Sequence, residues 1–130
     1  MLVVDASYAV RACAAGSGFG LLGDAQLVSP PVMWSETRSA LHEALWRREV
    51  TREDAEQALR RLDAAPVKMR NPRKLGVAAW RVAEDLGWAK TYDAEYLALA
   101  ELLDCRVVTV DSRLRRGAER LARVVLPTEL

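Results

Sequence analysis

Histidine occurs once in this chain, at His42, and cysteine twice, at Cys13 and Cys105. Such scarcity leaves no clustered imidazole and thiolate side chains for a zinc centre and too few cysteines for a disulfide framework. Each cysteine lies in an apolar helix or just before a strand, where a reduced thiol behaves as a small hydrophobe. No apolar run approaches the roughly 20 residues that span a bilayer. The start, MLVVDASYAV, carries an acid at Asp5 in place of a basic leader, so a cytoplasmic protein with no membrane partner is expected. Glycine is concentrated at Gly16, Gly18 and Gly20, after a helical stretch and without the Lys-Ser/Thr ending of a phosphate-binding loop; the segment reads as a loop that breaks the helix. Internal repeats and low-complexity tracts are absent.

What is present is an ordinary globular composition, 51% hydrophobic and 28% charged over 130 residues, enough for one domain, 1–130, with a buried core. The net charge of +1 conceals an arginine bias, because lysine occurs only at Lys68, Lys74 and Lys90. Arginine forks grip phosphates at two points. Basic residues cluster around Arg47 to Arg52, around Lys68 to Lys74 and from Arg113 to Arg123; each cluster reads equally as a nucleic-acid contact or a solvated helix face.

Apolar and helical periods alternate along the chain. Leu2–Val4 reads as a buried strand ending in Asp5, with Ser7 as cap of the next helix, and Gln26–Ser29 as a second strand stopped by Pro30 and Pro31. Val32–Arg48 and the stretch opened by Thr51, with the stripe Ala55, Ala58, Leu59 and Leu62, form a helical hairpin. Val67–Met69 follows as a strand, Pro72–Leu86 as a helix ended by Gly87, and the run from Tyr92 as a helix with Asp93 in its first turn. Arg106–Val110 is the most strand-like segment and ends in Asp111; Leu114–Leu121 is a short basic helix and Arg123–Leu126 a last strand. This order predicts an α/β fold with a mostly parallel sheet covered on both faces by helices. Ligands of such sheets bind outside the carboxyl ends of the strands.

Four acids occupy positions that need a reason: Asp5 and Asp111 end apolar strands, Asp93 opens a helix, and Glu36 projects from the helix after the second strand. An unpaired buried carboxylate costs several kcal/mol. Gathered together, these acids would repel one another and gain protons unless a hard cation such as Mg²⁺ or Mn²⁺, which prefers oxygen ligands, neutralised them. An oxygen-only site of that kind suits phosphodiester chemistry. The competing reading is that the acids merely cap helices and turns. Glu43 reads as the partner of Arg47 one helical turn on, Glu95 as a solvated charge, His42 as a surface residue, and Trp34, Trp46, Trp80 and Trp88 as core or interface packing.

The segments Val3-Val4-Asp5-Ala6-Ser7, Pro31 to Leu45 with Glu36, Thr91-Tyr92-Asp93-Ala94-Glu95-Tyr96-Leu97-Ala98-Leu99-Ala100 and Val107-Val108-Thr109-Val110-Asp111 together resemble the PIN domain, in particular the VapC toxins of toxin-antitoxin pairs. The resemblance implies a three-layer α/β/α sandwich and an endoribonuclease dependent on Mg²⁺ or Mn²⁺ that inhibits translation by cutting RNA. It further implies a VapB-type antitoxin partner and a homodimer. Carried over by position, Asp5, Asp93 and Asp111 would hold the metal, Glu36 would reach it through water or help activate the attacking water, and Ser7 and Thr109 would support them as hydroxyls. Relatives often place another acid just after the last aspartate. Here Ser112 and Arg113 stand there, which favours a single ion. A PIN nuclease of RNA processing, a phosphotransfer receiver and a non-catalytic binding module are the alternatives; the receiver would want paired acids after the first strand, and Asp5 is followed by Ala6 and Ser7.

Overall fold

The computed structural model describes residues 1–121 and 123–130. Five short strands, β1 (Leu2–Val4), β2 (Leu27–Ser29), β3 (Val67–Met69), β4 (Arg106–Val108) and β5 (Val124–Val125), form one sheet in the order β3-β2-β1-β4-β5, with parallel pairing throughout. Val3, Val4, Val28, Val107 and Val108 are completely buried, as expected of strands covered on both faces. Each such side chain contributes about 1.5–3 kcal/mol relative to exposure.

Among the described residues six α-helices flank the sheet: α1 (Ala6–Ala15), α2 (Val32–Trp46), α3 (Arg52–Asp63), α4 (Leu75–Leu86), α5 (Tyr92–Leu103) and α6 (Ser112–Gly117). Two groups pack together, α1 with α2 and α3, and α4 with α5; α5 also lies against β1 and β4. α3 starts where the sequence predicts, since the Thr51 hydroxyl accepts the Asp54 amide at 3.1 Å. α4 ends at Gly87, whose φ of 70° is left-handed and favours glycine.

Several boundaries differ from the sequence reading. Asp5, not Ser7, caps α1, and Ser7 lies inside that helix. The segment after α1 is not an open loop: Gly18–Leu22 makes a 3-10 turn that lies on α1, where a Cβ on Gly18 would overlap the Ala12 backbone and where the Gly18 carbonyl accepts the Tyr8 hydroxyl at 2.6 Å. β4 stops at Val108, although the Thr109 amide still donates to Val125 of the neighbouring strand at 3.0 Å. The basic helix starts at Ser112 instead of Leu114 and gives way to a 3-10 turn at Glu119–Leu121. α4 begins at Leu75, three residues after Pro72. In α3 the inner stripe is Ala55, Ala58 and Leu62, while Leu59 is 36% exposed.

The strand order positions the site. The chain moves from β1 outward through β2 to β3, then returns past β1 to β4. The ladder between β1 and β4 is therefore where the direction of winding reverses, with Val4 in register with Val108. Open α/β sheets leave a crevice at that point, beyond the strand ends.

Candidate active site

Asp5 and Thr109 follow the paired residues Val4 and Val108, so two polar side chains from the two ends of the chain emerge side by side. Asp5 is only 3% exposed. Its carboxylate accepts hydrogen bonds from the Tyr8 amide (2.9 Å), the Ser7 hydroxyl (2.8 Å) and the Thr109 hydroxyl. Ser7 and Thr109 lie 3.0 Å apart, and Thr109 accepts the amide of Asp111 at 3.0 Å. A continuous polar chain thus runs from Asp5 through Thr109 to the backbone of Asp111. Every buried polar side-chain atom among the described residues has a partner.

Burial is nevertheless the dominant influence on Asp5. It pushes the carboxyl up to about 6, against the hydrogen bonds that favour ionisation, and the negative charge of Asp93 adds to the rise. No basic side chain pairs with Asp5 among the described residues.

Glu36 sits in α2 between Met33 and Thr37, both fully buried, so helical geometry turns it toward the interior. There the Tyr96 hydroxyl, on α5, donates to Glu36 Oε1 at 2.6 Å. Tyr96 is 1% exposed and is the largest fully buried side chain. Burial, opposed by this hydrogen bond and reinforced by Asp93, raises the Glu36 carboxyl above its ordinary value. Asp93 lies one turn before Tyr96 on the same helix and is raised by partial desolvation and then by Asp111, with Arg113 acting in the opposite direction. Asp111 caps α6 by accepting the Arg113 amide at 2.9 Å, and the Arg113 guanidinium lies 3.5 Å from the same oxygen.

Glu36, Asp93 and Asp111 line one open cleft of about 670 Å³, and Asp5 is set back behind its lining. The same cleft is also lined by Trp88, Lys90, Tyr92 and Arg113. Folding therefore brings all four acids to one end of the sheet without closing them on one another. Among the described residues no three acidic, histidine or cysteine side chains stand near enough to hold an ion as placed.

Of the other singled-out residues, Glu43 pairs with Arg47 at 3.5 Å on the surface, as expected. Glu95 is not a freely solvated charge: burial and the neighbouring Glu36 raise its carboxyl. Trp34 and Trp88 pack against the core, whereas Trp46 and Trp80 are 78% and 64% exposed, with Trp80 Nε1 donating to Glu84. The sequence reading missed Tyr96 as the partner of Glu36. Its position three residues after Asp93, on the same helical face, was the available signal.

Residues 2–120 match the PIN domain, and the chain belongs to that family. Its relatives include VapC ribonuclease Mb0985 of Mycobacterium bovis and ribonuclease VapC9 of Mycobacterium tuberculosis, each 34% identical over 115 residues, which make up 88% of this chain and 88% of each relative. The crystal structure of PAE2754 from Pyrobaculum aerophilum shares the fold, with a TM-score of 0.74 at 24% identity over 98% of this chain and 90% of that one.

Proposed function

We propose that the protein is a VapC-type endoribonuclease, the toxin of a toxin-antitoxin pair, which hydrolyses RNA phosphodiester bonds with the help of Mg²⁺ or Mn²⁺. The observation that carries this reading is that Asp5 and Asp111 follow the carboxyl ends of the paired strands β1 and β4, at the cleft lined by Asp111, Asp93 and Glu36. The donor set fits a hard cation. All of its groups are oxygens, one of them buried without a counter-charge, and burial raises three of the four carboxyls.

Asp5, Asp93 and Asp111 would hold the ion, with Glu36 contributing through water, and the hydroxyls of Ser7 and Thr109 would keep Asp5 in its place. When bound, the cation neutralises charge on the phosphodiester and makes water a better nucleophile. The remaining work belongs to the side chains. Glu36, steadied by Tyr96, accepts a proton from the attacking water, and Arg113 and Lys90 hold the RNA backbone. In-line attack by that water breaks the P–O3′ bond, the departing 3′-oxygen takes up a proton from solvent, and a 5′-phosphate and a 3′-hydroxyl result with no covalent enzyme intermediate.

On this reading residues 1–130 form one PIN domain, working in the cytoplasm as a homodimer and silenced by a VapB-type antitoxin. No helix among the described residues is long and apolar enough to cross a membrane. Purified protein should cleave total RNA in Mg²⁺ or Mn²⁺ and stop when the metal is chelated. Induction in cells should arrest growth, and co-expression of the antitoxin should relieve the arrest. Metal-independent cleavage, or none, would sink the enzymatic assignment; cleavage without arrest would leave a nuclease that is not a toxin.

A further inference from the structure

Beside its carboxylates, the cleft has a lining of a second chemistry. It is built from the short connection between α4 and α5, together with the start of α6. Gly87 ends α4 in the left-handed conformation, and within five residues the chain places Trp88, Lys90 and Tyr92 along the cleft before it reaches Asp93. Tyr92, which immediately precedes Asp93, lines the cleft and is 55% exposed. Trp88 is half-buried. Its indole packs against the core and against Gly117 of α6, where a Cβ would come within 3.4 Å of the six-membered ring. Trp88 Nε1 has no hydrogen-bond partner among the described residues and is not a buried orphan, so it is left open to water at the cleft. Arg113, whose side chain is 86% exposed and lies 3.5 Å from Asp111, also lines the cleft.

Two aromatic rings alternating with two cations, one residue from a catalytic acid, match the chemistry of an unpaired nucleotide. Bases stack on aromatic faces with little regard to sequence, while Lys and Arg take the phosphates. A duplex offers neither exposed base faces nor room for rings to enter between them. We propose that Trp88 and Tyr92 form a base-binding subsite for the nucleotide next to the scissile phosphate, with Lys90 gripping its backbone, so that the cleft selects RNA whose base at that point is unpaired. Tyr92 supplies the accessible stacking face. Trp88, braced by the core and Gly117, supplies the rigid side wall and an N–H donor to the nucleotide. This inference rests on the ribonuclease reading for the identity of the ligand.

The test measures binding apart from cleavage, by fluorescence anisotropy in chelator. Three probes are compared: a short single-stranded RNA of mixed sequence, the same strand in a duplex, and a ribose-phosphate strand lacking bases. Wild type should prefer the single strand. Tyr92→Ala should bind it roughly five- to a hundredfold more weakly, Tyr92→Phe should restore binding, and neither change should affect the baseless strand. Trp88→Leu should show the same pattern, with a thermal melt to confirm folding. In the cleavage assay Tyr92→Ala should raise KM more than it lowers kcat.

Equal affinity of Tyr92→Ala and wild type for the single strand, or an equal loss on the baseless strand, would overturn the subsite. Metal-dependent cleavage by wild type together with that result would leave the ribonuclease reading standing and the subsite refuted. Base-dependent binding without any cleavage would do the reverse.

Discussion

The innermost part of the cleft and its mouth hold the same kind of side chain in opposite conditions. Asp5 at the inner end is buried, held by three hydrogen bonds, and joined through Thr109 to the backbone before α6. Asp93 at the mouth is exposed, and among the described residues its carboxylate accepts no hydrogen bond. The inner acid is therefore set before any ligand arrives, at the cost of holding a carboxylate where ionisation is unfavourable. The outer acid remains free to adjust to an ion and an RNA strand. On the proposed reading Asp5 would be the fixed anchor of the site and Asp93 its adaptable ligand.

The sharpest way to break that contrast is to neutralise each acid in turn. Asp5→Asn and Asp93→Asn should each lower metal-dependent cleavage by at least about a hundredfold, the scale seen when a group stabilising transition-state charge is removed. Their effects on folding should diverge. Asparagine can keep the cap through its oxygen, while its amide must donate to Thr109 instead of accepting from it; with the buried charge gone, Asp5→Asn should raise the melting temperature of the metal-free protein at neutral pH, whereas Asp93→Asn should leave it nearly unchanged. Two inactive variants with identical melting curves would remove the distinction between anchor and adaptable ligand.

The pH dependence isolates the same cost. Asp5 is raised from 3.8 to about 6, so the folded protein keeps its proton between those values while the unfolded chain releases it. The Asp5 contribution is thus absent below the lower value, destabilises progressively as pH rises through the interval, and is constant above it. Its limit is about 3 kcal/mol. Urea unfolding of wild type and Asp5→Asn at pH 4 and pH 7 should show the gap between them opening at the higher pH. Saturating Mg²⁺ at pH 7 should recover stability in wild type, by about 2.7 kcal/mol at a hundred times its dissociation constant, and not in Asp5→Asn.

Weaker effects should come from the hydroxyls that hold the acids. Thr109→Ala removes a donor to buried Asp5 and an acceptor for the Asp111 amide, and should destabilise by about 1–3 kcal/mol, with Thr109→Ser close to wild type. Tyr96→Phe frees Glu36, which water can partly reach, and should cost about 0.5–1.5 kcal/mol while lowering kcat more than it changes KM. The smallest effect belongs outside the site: Glu43→Gln breaks an exposed pair with Arg47 and should shift stability by less than about 1 kcal/mol in denaturant titration.

Elements with strong local signals were read nearly to the residue. β1, β2 and β3, the paired helices α2 and α3, and the Thr51 cap follow from apolar runs, helical spacing and capping chemistry within a few residues of each position. The departures arise where distant contacts outweigh local preference. Ser7 has a cap residue's side chain, yet it turns to Asp5 and Thr109 because β4 arrives beside β1. The glycines after α1 suggest flexibility, but packing on Ala12 gives Gly18 a defined place. Glu95 suggested solvent until α2 brought Glu36 near it. Trp46 and Trp80 are large enough to expect burial, and nothing in their local spacing reveals that their helices turn those positions outward.

The candidate acids could be picked out one at a time, because an acid at the end of an apolar strand or in the first turn of a helix is anomalous wherever it occurs. Their number, chemistry and oxygen-only character are properties of the chain as written. Their meeting is not, since it depends on β4 crossing back to pair with β1, and a strand's choice of neighbour is set by burial and crossover geometry across the whole sheet. That pairing put Asp5 in the interior beside Thr109. Local periodicity carries information over a few turns of chain, whereas the electrostatics of this cleft arise between residues that only the completed core holds together.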